Sequence, residues 1–397
     1  MNLFLLLAWA VSAGLQTGVL ALAWCVGTSP SDEADEAEAE PVPSSPPLVT
    51  LIIPCSGRSP DMEAALHSLL RQDYPALAVL LVTHGVEDPA RQLAQTLAAR
   101  YAHTRHVDAG TAEFCGQKNR NLLDALREAA PATAAYVFCD ANHLAKPDFI
   151  RRLTEPILLG RETFCSGYRR TRLLAAEPNA VACHILVRHL GLLQSLPAFT
   201  QPWGGAFAAD AAAFRELNVA ALWEKTVVDD VSLAGLLMRE GIRVSYRQQA
   251  ILDSPLRAMS EQQLQDWFFR QLFYPKFYTF AVWITLGISL AWFAAIACAD
   301  LLLLAVWASG NGLPAATGPL ALAHLGLPLV FQERLRRRAA PDCPPPLWRR
   351  GLRLALQTLC TAFCRTVFSR GLVWRGIRYR LAANGLVIKV EHPGPKG

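Results

Sequence analysis

Several acidic residues stand where apolar runs end, and their surroundings suit phosphate and proton chemistry. Asp88, in Glu87-Asp88-Pro89, follows the apolar run Ala78–Thr83. Asp140 follows Ala134–Cys139, in Phe138-Cys139-Asp140-Ala141-Asn142-His143. Asp229 and Asp230 are adjacent in Val228-Asp229-Asp230-Val231-Ser232-Leu233, at the opening of an apolar helix. An Asp at a strand end offers hard oxygens to a divalent metal and its phosphates, or it caps the next helix. For Asp140 the residue types leave both roles open. Asp88 suits accepting from a base or ribose, with a plain Asp-Pro turn as the other reading. One acid of the Asp229-Asp230 pair can serve as N-cap while the other faces a ligand. An apolar site shared with other carboxylates raises a carboxyl pKa, as a general base requires.

Two further segments fit the same chemistry. Gly116-Gln117-Lys118-Asn119-Arg120-Asn121-Leu122 is a basic, amide-rich helix start. Helix N-termini attract phosphate, and Lys118 adds charge there. In Gln201-Pro202-Trp203-Gly204-Gly205-Ala206 the paired glycines allow close backbone approach to a ligand.

The elements that must position these residues alternate between strand and helix. Leu48–Pro54, Ala78–Thr83 and Ala134–Cys139 are short apolar runs suited to buried parallel strands. Asp61–Gln72, Pro89–Tyr101 and Asn121–Ala130 have helical spacing of apolar residues. This alternation predicts an α/β fold with a doubly wound, mostly parallel sheet. Ligands of such sheets sit at the carboxyl ends of strands. That singles out Pro54–Arg58, His84–Asp88 and Asp140–His143.

The chain of 397 residues has room for about two domains at ~150 residues each. It is 52% hydrophobic and 18% charged, with mean hydropathy +0.22, against a usual charged share of ~25%. The excess is local. Asn2–Val26 is apolar without a charge and long enough for a hydrocarbon core of ~30 Å. No basic region precedes it, which favours a retained helix over a cleaved signal peptide. Ser29–Pro47 is acidic and proline-rich and is expected to be a flexible linker. Phe277–Ala308 holds a spanning helix and Ala315–Phe331 a return span, separated by a turn at Gly310, Asn311, Gly312 and Pro314. Lys276 precedes the hairpin and Arg334–Arg338 follow it, placing both outer ends in the cytosol by the positive-inside rule. Asp300 is then an acid inside the membrane or, because the run is longer than one span needs, near an interface. Leu352–Phe368, interrupted by Arg365 and flanked by basic residues, suits an interfacial or re-entrant helix. Net charge is +5, and basic residues crowd the C-terminal third beside apolar runs. That favours a membrane surface; nucleic acid is not expected as a partner. The ten Cys form no C-x-x-C and are expected to be buried, reduced thiols, as in a cytosolic domain.

Taken together, these segments resemble a family 2-type glycosyltransferase with a GT-A fold, nearest to the ceramide glucosyltransferase branch, family 21. The resemblance runs from about Leu48 to Phe280 and returns at the C-terminus. It is carried by Ile52-Ile53-Pro54-Cys55, Glu87-Asp88-Pro89-Ala90, Gly116–Leu122, Cys139-Asp140 with Pro147-Asp148, Trp203-Gly204-Gly205 and Asp229-Asp230. The last piece is Trp374-Arg375-Gly376-Ile377-Arg378-Tyr379-Arg380, similar to a Trp-Arg-x-x-x-Tyr-Arg element of that branch.

With the apolar runs and charge pattern, the resemblance gives an expected division of 1–26 transmembrane helix, 27–47 linker, 48–275 GT-A domain, 276–333 transmembrane hairpin, and 334–397 basic interfacial helix and tail. It implies an inverting transfer of a hexose from a nucleotide sugar, expected to be a UDP-sugar, to a membrane lipid such as ceramide or a hopanoid. Pro54 and Asp88 would bind the nucleoside side, Lys118 a donor phosphate, and Asp140 the Mg²⁺ or Mn²⁺ and diphosphate. Asp230 would be the catalytic base with Asp229 as its partner. Trp203, Gly204, Gly205, Gln263, Trp267 and Arg270 would line the acceptor and diphosphate side.

Two positions depart from the family pattern. The D-x-D site reads Asp140-Ala141-Asn142, and Q-x-x-R-W reads Gln263-Leu264-Gln265-Asp266-Trp267, with Asp in place of Arg. Arg270, one turn on, is the expected replacement charge. A processive polysaccharide synthase would need more spans and an intact Q-x-x-R-W. A non-catalytic nucleotide-sugar-binding membrane protein is the reading that Asp266 favours.

Overall fold

The computed structural model describes residues 3–27, 46–310 and 312–392. The expected linker at 27–47 lies almost wholly outside them. Strand β1 (Val49–Pro54) is buried along nearly its whole length, with Leu51, Ile52 and Ile53 at 0% exposure. An uninterrupted apolar run of this kind can only be satisfied with both sheet faces covered. It pairs in parallel with β2 (Leu77–His84) on one side and β4 (Ala135–Cys139) on the other, and β3 (Thr104–Ala109) extends the sheet beyond β2. Past β4 the sheet becomes mixed. β6 (Ala206–Asp210) is antiparallel to β4 and to β5 (Phe164–Leu173), and β7 (Ser245–Leu256) runs parallel to β5. The order is β3-β2-β1-β4-β6-β5-β7. The expected mostly parallel sheet is present, with a mixed half that its apolar runs did not announce.

Side chains of successive strand residues point to opposite faces, and helices cover both. Leu51, Ile53, Val79 and Leu81 pack under α2 (Met62–Leu70), α3 (Pro89–Arg100) and α5 (Phe149–Leu158). Ile52, Leu80, Val82, Phe138 and Phe207 pack with α4 (Gln117–Glu128), α7 (Ala211–Glu216), α8 (Val219–Trp223) and α9 (Asp230–Arg239). α4 begins a turn earlier than its apolar pattern implies, which puts Lys118 in the first turn. β3 has no apolar run because it is an edge strand with Arg105 and Asp108 exposed; charge at an edge deters pairing with another chain.

The later helices are α6 (Pro178–Gln194), α10 (Glu261–Tyr278), α11 (Phe280–Ala308), α12 (Thr317–Ala339) and α13 (Pro345–Phe368). Among the described residues, α11 alone is long and apolar enough to cross a membrane. The expected return span falls in α12, which is helical but does not meet that standard. His324 interrupts its apolar part, which ends at Gln332-Glu333-Arg334. The N-terminal helix α1 (Leu3–Gly27), apolar through Leu6–Ala21, packs against α11 and α12. Asp300 is enclosed among these three helices at 0% exposure. Its Oδ1 accepts from Trp9 Nε1 at 2.8 Å and its Oδ2 lies 2.7 Å from His324 Nδ1. A carboxylate among apolar helices is tolerated only with such partners.

α13 covers the stretch expected to be interfacial. It packs on α6 and α10 through Trp348, Gly351, Ala355, Thr358, Ala362 and Thr366, and exposes Leu356, Val367 and Phe368 on its other side. Beyond it the chain does not trail off as a tail. β8 (Gly371–Trp374), β9 (Ile377–Leu381) and β10 (Val387–Glu391) form an antiparallel sheet. The hairpin turn has Arg375 at φ 52° and Gly376 at φ 80°, as a tight two-residue connection requires. Of the cysteines, Cys55, Cys115, Cys139, Cys165, Cys183 and Cys343 are buried and free as expected, whereas Cys298, Cys360 and Cys364 are exposed.

Candidate active site

The start of α4 is fastened to the segment that delivers the acid pair. Gly116 is the N-cap, and a Cβ there would lie 2.1 Å from the Val227 carbonyl oxygen. Gly116 N–H donates to Thr226 O at 2.9 Å, and the buried Asn119 side chain donates to Thr226 O at 2.9 Å and Trp223 O at 3.3 Å. The Trp223 indole in turn donates to Asp229 O at 3.1 Å. Lys118 and Asp229 are therefore held by one rigid frame, although they are distant in sequence.

Lys118 Nζ lies 3.0 Å from Asp140 Oδ1, 2.9 Å from Asp229 Oδ2 and 3.0 Å from Gly204 O. Gly204 N–H donates to Asp230 Oδ2 at 2.8 Å, and Val231 N–H donates to Asp230 Oδ1 at 2.7 Å. The Asp229 side chain is 2% exposed, while that of Asp140 is 37% exposed and open to a ligand. The glycines make room for these groups. A Cβ on Gly204 would come within 2.9 Å of Asp230 Oδ2 and 3.0 Å of both Asp229 Oδ2 and Lys118 Nζ. A Cβ on Gly205 would lie 2.3 Å from the Trp203 ring. Gly204→Ala should therefore lower turnover by at least about 100-fold, since small displacements of positioned groups carry penalties of that order. Steady-state kinetics with circular dichroism as a fold control will check this.

Environment divides the acids. Burial, reinforced by the Asp229 charge, pushes Asp230 up to about 6. Burial also raises Asp229, with Lys118 opposing it. For Asp140 burial acts upward but is outweighed by Lys118, His143 and Arg169, so it is held below the usual carboxylate range. Burial opposes the charge on Lys118, yet Asp140, Asp229 and Asp230 together hold it above an ordinary lysine. His143, lowered to about 4 chiefly by burial, is a neutral imidazole at physiological pH. The site thus contains one carboxylate kept ionised and one poised to take a proton.

An aromatic wall completes the site. The Trp203 ring lies 5.2 Å from His143 and 5.3 Å from Tyr168. Arg169 Cζ sits 5.6 Å from the Trp203 ring and 5.5 Å from the Trp267 ring.

The family model described as "Glycosyl transferase family 21" matches residues 5–387. The chain belongs to glycosyl transferase family 21. Among curated relatives, ceramide glucosyltransferase of Komagataella phaffii (strain GS115) is 36% identical over 69 residues, 17% of this chain and 13% of that protein. The uncharacterized glycosyltransferase EpsJ of Bacillus subtilis (strain 168) is 29% identical over 110 residues, 28% of this chain and 30% of that protein. The matched stretches thus span less than a third of either relative. The mannosyltransferase PcManGT of Pyrobaculum calidifontis, solved with GDP-Man and Mn²⁺, shares the fold at TM-score 0.52 and 17% identity. That likeness covers 91% of this chain and 99% of that one.

In this family 21 chain the fold gathers Lys118, Asp140, Gly204, Asp229 and Asp230 into one cluster. Pro54 ends β1, and Asp88 follows β2 at the start of α3. Asp88 Oδ1 accepts from Gly57 N–H and Ala90 N–H, both at 2.8 Å, and so caps α3 and ties it to the loop after β1. Arg375, from the Trp-Arg-x-x-x-Tyr-Arg element, donates to Ser56 O on the same loop at 2.6 Å. Tyr379 Oη accepts from Gln117 N–H at 3.2 Å. The C-terminal sheet therefore braces both the β1 loop and the helix that carries Lys118.

Gln263 is not among the site residues that come together. It forms a capping box with Ser260, its Oε1 accepting from Ser260 N–H at 2.8 Å. Ser-x-x-Gln ahead of a helix was the signal for this. Trp267 does face the site, whereas Asp266 accepts from Gln262 Nε2 at 2.9 Å on the exposed side of α10. Arg270 lies one turn past Trp267, where its charge acts on the Tyr274 phenol. The guanidinium whose charge reaches Asp140 is that of Arg169, which sequence reasoning missed. Arg169 sits on β5, a strand with no apolar signature in Tyr168-Arg169-Arg170-Thr171-Arg172.

Among the described residues no group of three or more His, Cys, Asp or Glu is arranged to hold a metal ion. Asp140 offers one open carboxylate. That fits a Mg²⁺ or Mn²⁺ ion, which commonly uses one or two carboxylates and takes its remaining ligands from substrate phosphates and water.

Proposed function

We propose that this chain is an inverting hexosyltransferase that moves a sugar from a UDP-sugar to the hydroxyl of a membrane lipid. The observation that carries the reading is the Lys118-Asp140-Asp229-Asp230 cluster, with Asp230 raised to about 6 beside an ionised Asp140. The Asp230 carboxylate takes the proton of the lipid hydroxyl as that oxygen attacks the anomeric carbon. The bond to the nucleoside diphosphate breaks on the opposite face, and the electron pair leaves with the phosphate oxygen. Asp229 and Gly204 hold the base and Lys118 in register; Asp229 is a positioning residue. Asp140 would hold Mg²⁺ or Mn²⁺, which would neutralise charge on the departing diphosphate. Pro54 and Asp88 would border the nucleoside, and Trp203 and Trp267 would offer stacking surface to the acceptor.

The lipid acceptor draws support from family membership, from the short match to a ceramide glucosyltransferase and from α11. On this reading the protein is an integral membrane enzyme. α1 and the α11–α12 hairpin anchor it, with the arginines after Phe331 and the catalytic domain on the cytosolic side. The test is transfer from radiolabelled UDP-glucose, UDP-galactose and UDP-N-acetylglucosamine to ceramide, diacylglycerol and hopanoid acceptors in detergent with Mn²⁺. A single labelled glycolipid, absent without the protein, is expected. No lipid product from any donor, with intact binding of UDP, would leave a non-catalytic binding protein.

A further inference from the structure

We propose that Arg169 grips the donor's diphosphate, replacing the motif arginine whose place is taken by Asp266. The inference rests on the nucleotide-sugar reading above. It begins from a charge imbalance. Lys118 is the cation at the centre of the cluster, yet Asp140, Asp229 and Asp230 all surround it. A diphosphate approaching three carboxylates and one ammonium meets net negative charge. A metal at Asp140 offsets part of this, and a further cation facing the same space is required.

The α10 motif does not supply it. The Asp266 carboxylate is turned to Gln262 on the exposed side of its helix, so that position offers the site no cation, and the Arg270 charge on the same helix acts on the Tyr274 phenol. Trp267, next to Asp266, does face inward, and what it meets there is Arg169, at 5.5 Å. Trp203 lies against the same guanidinium at 5.6 Å, so two indoles restrain it. A planar, delocalised cation restrained by aromatic rings keeps its N–H fork preorganised for phosphate oxygens. The Nε of Arg169 is buried and has no hydrogen-bond partner among the described residues. A buried donor without an acceptor is costly to the fold, and a phosphate oxygen would satisfy it. The route from Arg169 to the metal position is short. Trp203 bridges to His143 with 5.2 Å between rings, and His143 Nε2 lies 4.0 Å from Asp140 Oδ2.

The experiment uses the purified full chain in detergent with MnCl₂, titrated calorimetrically with UDP and, separately, with uridine. Arg169→Gln is expected to weaken UDP by ~10- to 100-fold, the scale of a charge-assisted hydrogen bond, and to leave uridine unchanged. Arg169→Lys, which keeps the charge and loses the planar fork, should fall between the two. Equal UDP affinity in wild type and Arg169→Gln would overturn the proposal while leaving the donor reading intact. A parallel loss of UDP and uridine affinity, with a lower melting temperature, would also overturn it and make Arg169 a brace between two tryptophans. Wild-type protein that binds neither probe would remove the donor reading first and this inference with it.

Discussion

Replacing Asp230 by Asn is expected to lower sugar transfer by about 10²- to 10⁴-fold, the range assigned to a general base, while UDP binding persists. The same change should make the folded protein more stable, not less. In the folded chain the Asp230 carboxyl titrates near 6, against an ordinary value of 3.8. Between about pH 4 and 6 the folded state therefore holds a proton that the unfolded chain has already released. Stability contributed by this group is greatest at low pH and falls as pH rises through that window. At pH 7 the ionised Asp230 sits beside Asp229 at a cost of order 2–3 kcal/mol, at 1.36 kcal/mol per pKa unit. Asn carries no such charge. Thermal melts at pH 7 should show the variant melting higher, and the difference should shrink toward pH 4. Wild-type transfer should rise with pH through about 6 as the base ionises. A variant that keeps full activity, or a rate that falls through pH 6, would remove Asp230 from the role of base.

Lys118→Met should have the opposite effect on stability. Lys118 Nζ is the ionic partner of Asp229, whose side chain is 2% exposed, and it also holds Asp140 and Gly204 O. Met has similar length and no charge, so Asp229 would be left buried without its cation. Breaking a buried pair in this way costs about 3–5 kcal/mol. Because Asp229 is already raised by burial, it should take up a proton in the variant, shifting the pH at which the protein is most stable downward. Denaturant unfolding at pH 5 and pH 8 will read this as a larger loss at pH 8. Turnover should be lost at both pH values because Gly204 and the acids no longer share an anchor. A double variant, Lys118→Met with Asp229→Asn, should recover much of the stability and none of the turnover.

Much of the candidate site was legible in the sequence. The β1, β2 and β4 runs are apolar throughout because both faces of a parallel sheet are covered, and such strands announce themselves by composition. Ligand-facing residues then follow from topology, since loops at the carboxyl ends of parallel strands converge. That logic singles out Asp140, while Asp229-Asp230 stand out as adjacent acids opening an apolar helix. It failed where helices and strands carry mixed signals. β3 is half polar because it is an edge, and β5 is rich in arginine because one face meets an ion pair, Arg170 with Asp253, and the other meets aromatic rings. Gln263 stands at the motif position, and its spacing from Ser260 also encodes the helix cap that the structure shows.

The sequence by itself determined the mostly parallel α/β architecture, an apolar helix within Phe277–Ala308 and the candidate acids at strand and helix ends, because burial and strand-end geometry are local in their demands. Only the tertiary structure decided what those residues are to one another. The meeting of Lys118 with Asp140 and Asp229 depends on Gly116 lying against Val227 and on Gly204 lacking a side chain. The enclosure of Asp300 by Trp9 and His324 joins the N-terminal helix α1 to the α11–α12 pair far along the chain. The guanidinium whose charge reaches Asp140 comes from β5, and Trp267 of α10 packs on it while Asp266 turns to Gln262. Pairings of this kind arise from packing between segments distant in sequence, and no spacing along one chain encodes them.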